Sequence, residues 1–215
     1  KPSSAASDVY KRQVFTSNIK PSDLYMGGLQ RKSFLSAISA IENHCEIICL
    51  ESVTDYRLRE LEKSGIYFSP IDSEKMSSFN KLFQQLSKGA NSGQSTIDIL
   101  GRKIAFEDSA NDIIHFSADV IFNSPRSSSD YIELSREFHT IFISNLNVIE
   151  EEDTARRFIA FIDECYDRNV KVIFLSNPLP HEIYTGKRLA DKFQRTLSRL
   201  TEMQSNDYLQ GRHKG

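Results

Sequence analysis

The chain has 215 residues, with 27 Lys and Arg against 29 Asp and Glu, which gives a formal net charge of −2. A nearly neutral chain has no global field that would favour binding to nucleic acid or to an acidic membrane surface. The printed sequence contains no apolar run long enough to span a membrane, and its three cysteines lack CxxC spacing. Neither a membrane span nor a disulfide framework is therefore predicted.

The first predicted elements are a strand, a turn and a helix. A short apolar run at residues 14–16 leads into Ser17-Asn18, a turn follows at Pro21, and Arg31 enters an amphipathic segment that reaches Ile41. In an α/β nucleotide-hydrolysing sheet, a polar residue at the carboxyl end of a strand faces the ligand crevice. An arginine from the next helix can reach a phosphate in its own subunit or in a neighbour.

The middle of the chain predicts a second strand, a helix and a hairpin. Residues 46–50 form an apolar run, and apolar residues at helical spacing predict a helix over residues 72–86. Residues 96–100 and 104–106 alternate as strands do, and Gly101-Arg102 between them is suited to a tight turn.

The last part predicts a helix, a strand, a helix, a strand and a final helix, over residues 130–138, 140–144, 153–168, 170–175 and 187–203. Asp130 and Glu133 are spaced like a capping box. In the final helix, a basic stripe is predicted opposite the apolar face, from Arg188, Lys192, Arg195 and Arg199. No aromatic residues interleave with this stripe, which makes nucleic acid an unlikely partner.

One pattern occurs twice. Residues 176–186 repeat the arrangement S-N-x-x-P-x-acid-aliphatic-Tyr-x-Gly of residues 17–27, again after an apolar strand. The repeat indicates either a degenerate second α/β unit that kept its packing and lost its chemistry, or a strand-turn-helix pattern that recurs because it caps well. Both interpretations are open at this point.

Five segments, in order, closely resemble signature segments of the Afg-type AAA+ ATPase family. They are residues 17–31, 55–59, 129–135, 155–163 and 193–205. Tyr166-Asp167-Arg168 and Tyr208-Leu209 are most similar to the bacterial ZapE branch of that family. The resemblance implies an α/β fold, with the C-terminal part of a P-loop AAA+ core and its incomplete parallel sheet followed by an α/β C-terminal region.

Two family features are absent from the printed sequence. It has no G-x-x-x-x-G-K-[ST] and no apolar strand that ends in Asp-Glu, both of which the family carries before the Ser17-Asn18 strand. Residues 1–13 are predicted to be a disordered extension outside the family, residues 14–70 the end of the nucleotide-binding core, and residues 71–215 a C-terminal α/β domain. The chain is thus expected to be a C-terminal fragment with a foreign or miscalled N-terminus that cannot cradle ATP by itself.

The resemblance implies a parent ATPase that uses ATP and Mg²⁺, forms homo-oligomers through its AAA+ interface and acts in bacterial cell division at the tubulin-like division ring. It would be cytoplasmic, or mitochondrial in a eukaryotic relative. Two alternatives are open. The region after residue 70 could be a non-catalytic adaptor that recognises a client, or the parent could handle nucleic acid as helicase loaders do.

The resemblance also implies roles for individual residues. Asn18 would act as sensor one, orienting the attacking water or contacting the terminal phosphate, and its alternative role is to cap a turn. Arg31 would be the arginine finger, and its alternative is a solvent-facing arginine beside Lys32.

Three further arginines are candidates for nucleotide binding, and the printed residues offer no metal site. Arg57 could bind phosphate or tie the core to the next domain, or it could pair with a neighbouring carboxylate such as Asp55. Arg156 or Arg157 could act as sensor two, although pairing with the acidic residues 150–153 at the start of their helix is the simpler interpretation.

Overall fold

The structure, a computed structural model, describes residues 21–23, 31–47, 53–88, 93 and 95–215. The chain divides into two units, Lys1–Ser52 and Val53–Gly215. In the first unit the described elements are a 3-10 helix, Pro21–Asp23, and helix α1, Arg31–His44. The predicted strand before Asn18 lies outside the described residues. Of the second predicted strand, Glu46 and Ile47 have no strand structure, and residues 48–50 lie outside the described part.

The second unit alternates helices and strands. Its helices are α2 (Val53–Ser64), α3 (Ser73–Ser87), α4 (Ser128–Glu137), α5 (Glu152–Asp167), α6 (Ala190–Glu202) and α7 (Asn206–Gln210). Its strands are β1 (Tyr67–Phe68), β2 (Ser95–Ile99), β3 (Arg102–Phe106), β4 (Asp108–Ala110), β5 (Ile113–Ser117), β6 (Thr140–Leu146) and β7 (Lys171–Ser176). A π-helical turn, Asp119–Asn123, follows β5, and a second 3-10 helix, Pro180–Glu182, follows β7.

Five of these strands form one sheet in the order β1-β7-β6-β5-β4, and β2 pairs with β3 in a separate hairpin. The β1–β7, β7–β6 and β6–β5 pairs are parallel, and only β4 runs antiparallel, against β5. The α/β fold class predicted from the sequence is therefore confirmed. The parallel pairs also bring the carboxyl ends of β5, β6 and β7 to the same edge of the sheet.

Helices cover both faces of this sheet. From α3, Phe79 and Phe83 each pack edge-on against Phe142 of β6, with ring centroids 5.1 Å apart. From α5, Phe158 packs against Phe174 of β7, with centroids 6.1 Å apart. Since Phe174 pairs in register with Ile143 and not with Phe142, the two aromatic contacts lie on opposite faces. Burial on both faces explains why β6 and β7 are nearly continuous apolar runs.

Several predicted elements agree with the structure within three residues at each end, namely α3, α4, β6, α5, β7 and α6. Helix α4 begins at Ser128, earlier than predicted. The prediction that Asp130 and Glu133 form its capping box is therefore wrong. The Asp130 carboxylate accepts hydrogen bonds from the Ser127 backbone N–H, at 2.7 Å, and from the Ser127 hydroxyl, at 3.0 Å. Asp130 is thus the third residue of the helix and caps it from within, and Glu133 takes no part.

The predicted basic stripe is wrong for Arg199. This residue is 9% exposed and its guanidinium forms an ion pair with Asp163 of α5. The same guanidinium lies over the ring of Tyr166, 4.9 Å from its centroid. Arg199 therefore joins α6 to α5 and does not lie on a solvated face.

The turn of the hairpin also differs from the prediction. Ile99 pairs with Arg102, so the turn residues are Leu100 and Gly101, with φ values of 53° and 77°. Two consecutive positive φ values define a type I′ turn, which favours Asn-Gly and strains a bulky residue in the first position. Leu100 is also 57% exposed, so its side chain gains little from burial in return.

Leu100→Asn is expected to raise the free energy of unfolding by about 0.5–1 kcal/mol, because asparagine adopts left-handed backbone conformations more easily than leucine. Leu100→Ala is the matched control, since it removes the side chain and leaves the backbone preference unchanged. Urea unfolding of the three proteins measures the difference. An asparagine variant no more stable than the alanine variant would show that the turn is not strained.

Candidate functional site

The structure describes no side-chain contacts for the two residues that are predicted to act in catalysis. Asn18 lies outside the described residues. Arg31 is the first residue of α1, and only its backbone is described. Their roles therefore stay predictions.

Arg57 is held in a bidentate ion pair. From α2, its two terminal nitrogens each donate to an oxygen of Asp112, in the turn between β4 and β5, at 2.7 Å. Burial alone would raise the pKa of Asp112, but the hydrogen bonds and positive charge of Arg57 hold it below its ordinary value. The carboxylate partner is thus 55 residues away in the chain, whereas one of the open interpretations of the sequence is a pair with a neighbouring carboxylate such as Asp55. To bind a phosphate, Arg57 would have to release Asp112.

Arg156 and Arg157 point to different partners. Arg156 is exposed and pairs with Glu152 and Asp153 at the start of α5, as the simpler interpretation expects. Arg157 instead donates to the backbone carbonyl of Phe122, at 2.7 Å, and so holds the π-helical turn after β5. A role of either arginine in nucleotide binding stays a prediction.

The carboxyl edge of the sheet is shaped by the segments that follow β5, β6 and β7. The Asn177 side chain donates to the Asn147 side chain at 2.6 Å, and its backbone N–H donates to the Leu146 carbonyl at 2.9 Å. The Ile149 backbone N–H donates to the Ile183 carbonyl at 2.6 Å. These bonds fasten the segments after β6 and β7 to each other, which fixes the shape of the edge.

An open cleft of about 360 Å³ lies at this edge, between the π-helical turn, the segment after β6 and the start of α5. We call it the carboxyl-edge cleft. Its polar lining includes Asp119, Asn123, Asn145, Asn147, Glu150, Glu151 and Thr154. Thr154 donates to the Asn123 side chain at 3.2 Å, which joins α5 to the π-helical turn. Ligands of parallel α/β sheets bind at such edges.

The lining of this cleft does not suit ATP and Mg²⁺. Three carboxylates would repel a triphosphate, and among the described residues that line the cleft none is Lys or Arg. Nowhere in the described part of the chain do three or more His, Cys, Asp or Glu side chains group in a way that could hold a metal ion. No step of phosphoryl transfer is therefore assigned to this edge.

One histidine–serine pair lies inside the unit. Nε2 of His115, on β5, is 2.9 Å from the hydroxyl oxygen of Ser144, on β6. The His115 ring packs against Phe79 and Phe83 of α3, at centroid distances of 5.3 and 6.1 Å. Burial lowers the pKa of His115 to about 4, against the opposing effect of the Asp108 charge. The pair is enclosed by aromatic side chains and supports the core, not catalysis.

Comparison with known proteins gives the family. The model of the AFG1-like ATPase family matches residues 9–212. The chain is 42% identical over 202 residues to the cell division protein ZapE of Escherichia coli K12, a match that covers 93% of this chain and 54% of that protein. The chain belongs to the AFG1-like ATPase family. No solved structure shows significant similarity to it.

Two less similar proteins also match. Lactation elevated protein 1 homolog B of Danio rerio is 29% identical, over 91% of this chain and 46% of its own length. An uncharacterized protein of Schizosaccharomyces pombe is 32% identical, over 79% of this chain and 38% of its own length. The chain thus spans about half the length of the curated relatives it matches. No helix among its described residues combines the length and apolarity needed to cross a membrane.

The carboxyl-edge cleft is not predictable from the sequence patterns of this AFG1-like chain. Residues 150–153 are one acidic run in the sequence, and the run was interpreted only as a helix start with pairing to Arg156 and Arg157. In the structure, Glu152 pairs with arginines while Glu150 and Glu151 line the cleft. Strand β5, which brings Asp119 to the same edge, was not predicted either.

The buried histidines predict acid sensitivity. In the unfolded chain a histidine takes up a proton near pH 6.5, whereas His115 and His139, whose pKa burial likewise lowers to about 4, stay neutral in the folded protein. The unfolded state therefore binds more protons below pH 6.5, and the free energy of unfolding should fall by about 2 kcal/mol per histidine at pH 5.

His115→Gln should remove the contribution of His115 to this loss of stability. The free energy of unfolding of the variant should therefore fall less steeply between pH 6.5 and 5. The exposed His181, substituted by Gln, is the control that should leave the profile unchanged. Urea unfolding at a series of pH values measures both. Equal slopes for the wild-type chain and His115→Gln would mean that His115 is solvated in the folded state.

Proposed function

We propose that this chain is part of an ATP-hydrolysing AAA+ protein that acts in bacterial cell division. The observation that carries the proposal is the 42% identity to ZapE over 93% of the chain, within a family match that extends over residues 9–212. ATP and Mg²⁺ would bind mainly to residues that the printed sequence does not contain, since it has no phosphate-cradling loop and no Asp-Glu strand end.

In this proposal, residues 14–70 complete the nucleotide-binding core and residues 71–215 form a C-terminal α/β domain. Asn18 would orient the attacking water as sensor one. Arg31, at the start of α1, would contact the nucleotide of a neighbouring subunit. The place of Arg31 in the segment 17–31, which resembles the family's sensor-one and finger region, supports this assignment, and Arg31 is the first residue of α1.

The same proposal gives the partners and the location. The protein would form homo-oligomers through its AAA+ interface, since a finger in trans requires a neighbour. The match to a cell division protein supports a role at the tubulin-like division ring, in the bacterial cytoplasm.

The isolated chain is expected to lack Mg²⁺-dependent ATPase activity. The loop that positions the phosphates and the carboxylate that holds the metal ion supply most of the catalytic effect in phosphoryl transfer, and the printed residues contain neither. Phosphate release from the purified chain, compared with buffer, tests this. Turnover above the control that is lost on Asn18→Ala would contradict it.

Arg31→Ala should lower turnover on the order of a thousandfold in a protein that joins this chain to a complete ATPase core, while ATP binding stays nearly intact. Lys32→Ala is the matched control and should leave turnover close to wild type. Steady-state hydrolysis and nucleotide titration measure the two effects.

Mixing tests whether Arg31 acts in trans. Subunits with Arg31→Ala have an intact phosphate loop, and subunits with a disabled phosphate loop keep Arg31, so part of the activity should return at mixed interfaces. If mixed oligomers form and no activity returns, Arg31 is not a trans finger. If Arg31→Ala alone has no effect, Arg31 is a surface residue.

A further inference from the structure

We propose that the carboxyl-edge cleft binds a basic segment of a partner protein, in which arginine or lysine alternates with apolar residues. This inference does not depend on ATP hydrolysis. It assigns an interaction surface to the second unit and gives the chemistry of the segment that would occupy it.

The negative charge of the cleft predicts that its partner is positively charged. Asp119, Glu150 and Glu151 line it, and none of the three has a cationic partner among the described residues. Directly beside them, Glu152 pairs with Arg156 at 3.5 Å and with Arg188 at 3.0 Å. The unit therefore neutralises the carboxylate next to the cleft and leaves the cleft itself negative, which attracts a cationic side chain.

The same edge also exposes apolar side chains. Val148, in the cleft wall, is 45% exposed, and Leu179 is 47% exposed. Leu179 follows Asn177, whose bonds to Asn147 and Leu146 fasten its segment to the wall that carries Val148. A partner that covers this edge would bury apolar as well as charged groups, which is the composition of protein interfaces and not of a simple ion site.

The walls of the cleft are held in place before any partner binds. Arg157 fixes the π-helical turn through the Phe122 carbonyl, and Thr154 fixes the same turn through Asn123. On the other side, Ile149 is buried and forms a parallel bridge with Tyr184. A preformed cleft loses little conformational entropy when it is filled, so even moderate contacts can give measurable affinity.

The carboxylates of the lining favour a donor-rich side chain. Ionised Asp119, Glu150 and Glu151 only accept hydrogen bonds, and a guanidinium group offers five N–H donors. Phosphate groups are excluded by the sign of the charge. Arginine beside leucine or valine is thus the segment chemistry that this edge fits best.

The test uses the full chain and a short fluorescein-labelled peptide that alternates arginine with leucine. Two matched peptides replace every arginine by glutamate or every leucine by serine. Fluorescence anisotropy at low and at physiological ionic strength should show that the first peptide binds, that the glutamate peptide does not, and that the serine peptide binds more weakly. Backbone amide shifts on binding should concentrate at residues 118–123 and 145–151.

Variants of the chain distinguish binding at the cleft from general electrostatic attraction to the protein. Glu150→Gln with Glu151→Gln should weaken binding about tenfold, and Val148→Ser should weaken it at both ionic strengths. Glu62→Gln with Glu137→Gln is the control, because it makes the same change in net charge at two exposed sites elsewhere on the unit.

Three outcomes would overturn the proposal. An equal loss in the control pair would mean that the peptide follows net charge, and unchanged binding in the cleft variants would place it elsewhere. If sedimentation shows that the chain self-associates and that the cleft variants prevent this, the occupant is a second copy of the chain. Circular dichroism and the urea midpoint confirm that each variant is folded.

Discussion

Parallel pairing of β5, β6 and β7 is the constraint on which the second unit depends. Each parallel connection needs a crossover, and the crossovers through α4 and α5 cover one face of the sheet while α3 covers the other. Because the strands run in the same direction, the segments that leave them are neighbours although they are far apart in the chain. The carboxyl-edge cleft is a direct result, since its walls come from segments after β5 and β6 and from the start of α5.

The opposite edge of the sheet serves a structural purpose. Lys171, at the start of β7, is 1% exposed, and its ammonium group donates to the carbonyls of Asn169, Tyr208 and Gly211 at 3.0, 2.9 and 2.9 Å. Burial lowers the pKa of Lys171 to about 8, because removing its charge from water costs free energy. Contacts with the three carbonyls and with the nearby Tyr208 ring offset part of this cost. The lysine binds carbonyls at the end of α7 and so attaches the C-terminal segment to the sheet. The two edges therefore differ, because the buried ammonium group at this edge is paired internally, whereas Asp119, Glu150 and Glu151 at the other edge line an open cleft.

Local patterns predicted what is local. The strands β6 and β7 are visible in the sequence because burial on both faces gives a continuous apolar run, and α5 is visible because burial on one face of a helix gives a period of about 3.6 residues. The partners of Arg57 and Arg199 were not predictable in this way, since Asp112 and Asp163 are brought near by tertiary packing and not by spacing. The acidic run at residues 150–153 shows the same limit. Its members are equivalent in the sequence, but in the fold Glu152 and Asp153 pair with arginines while Glu150 and Glu151 line the cleft.

The repeated Ser-Asn pattern separates a shared backbone turn from shared chemistry. Pro21–Asp23 and Pro180–Glu182, which correspond in the two copies, are both 3-10 helices, so the local pattern gives the same turn twice. In the second copy, however, the Ser176 hydroxyl donates to the Pro178 carbonyl at 2.9 Å and accepts from Tyr67, and Asn177 is bonded to Asn147. These side chains are used in joining segments, and the groups left to face a ligand come from the neighbouring strand ends. Because those groups include three carboxylates, and the lining residues that the structure describes include no Lys or Arg, this edge does not suit a phosphate group. The charge of the surrounding edge, which the repeated pattern does not contain, decides which ligands the site can bind.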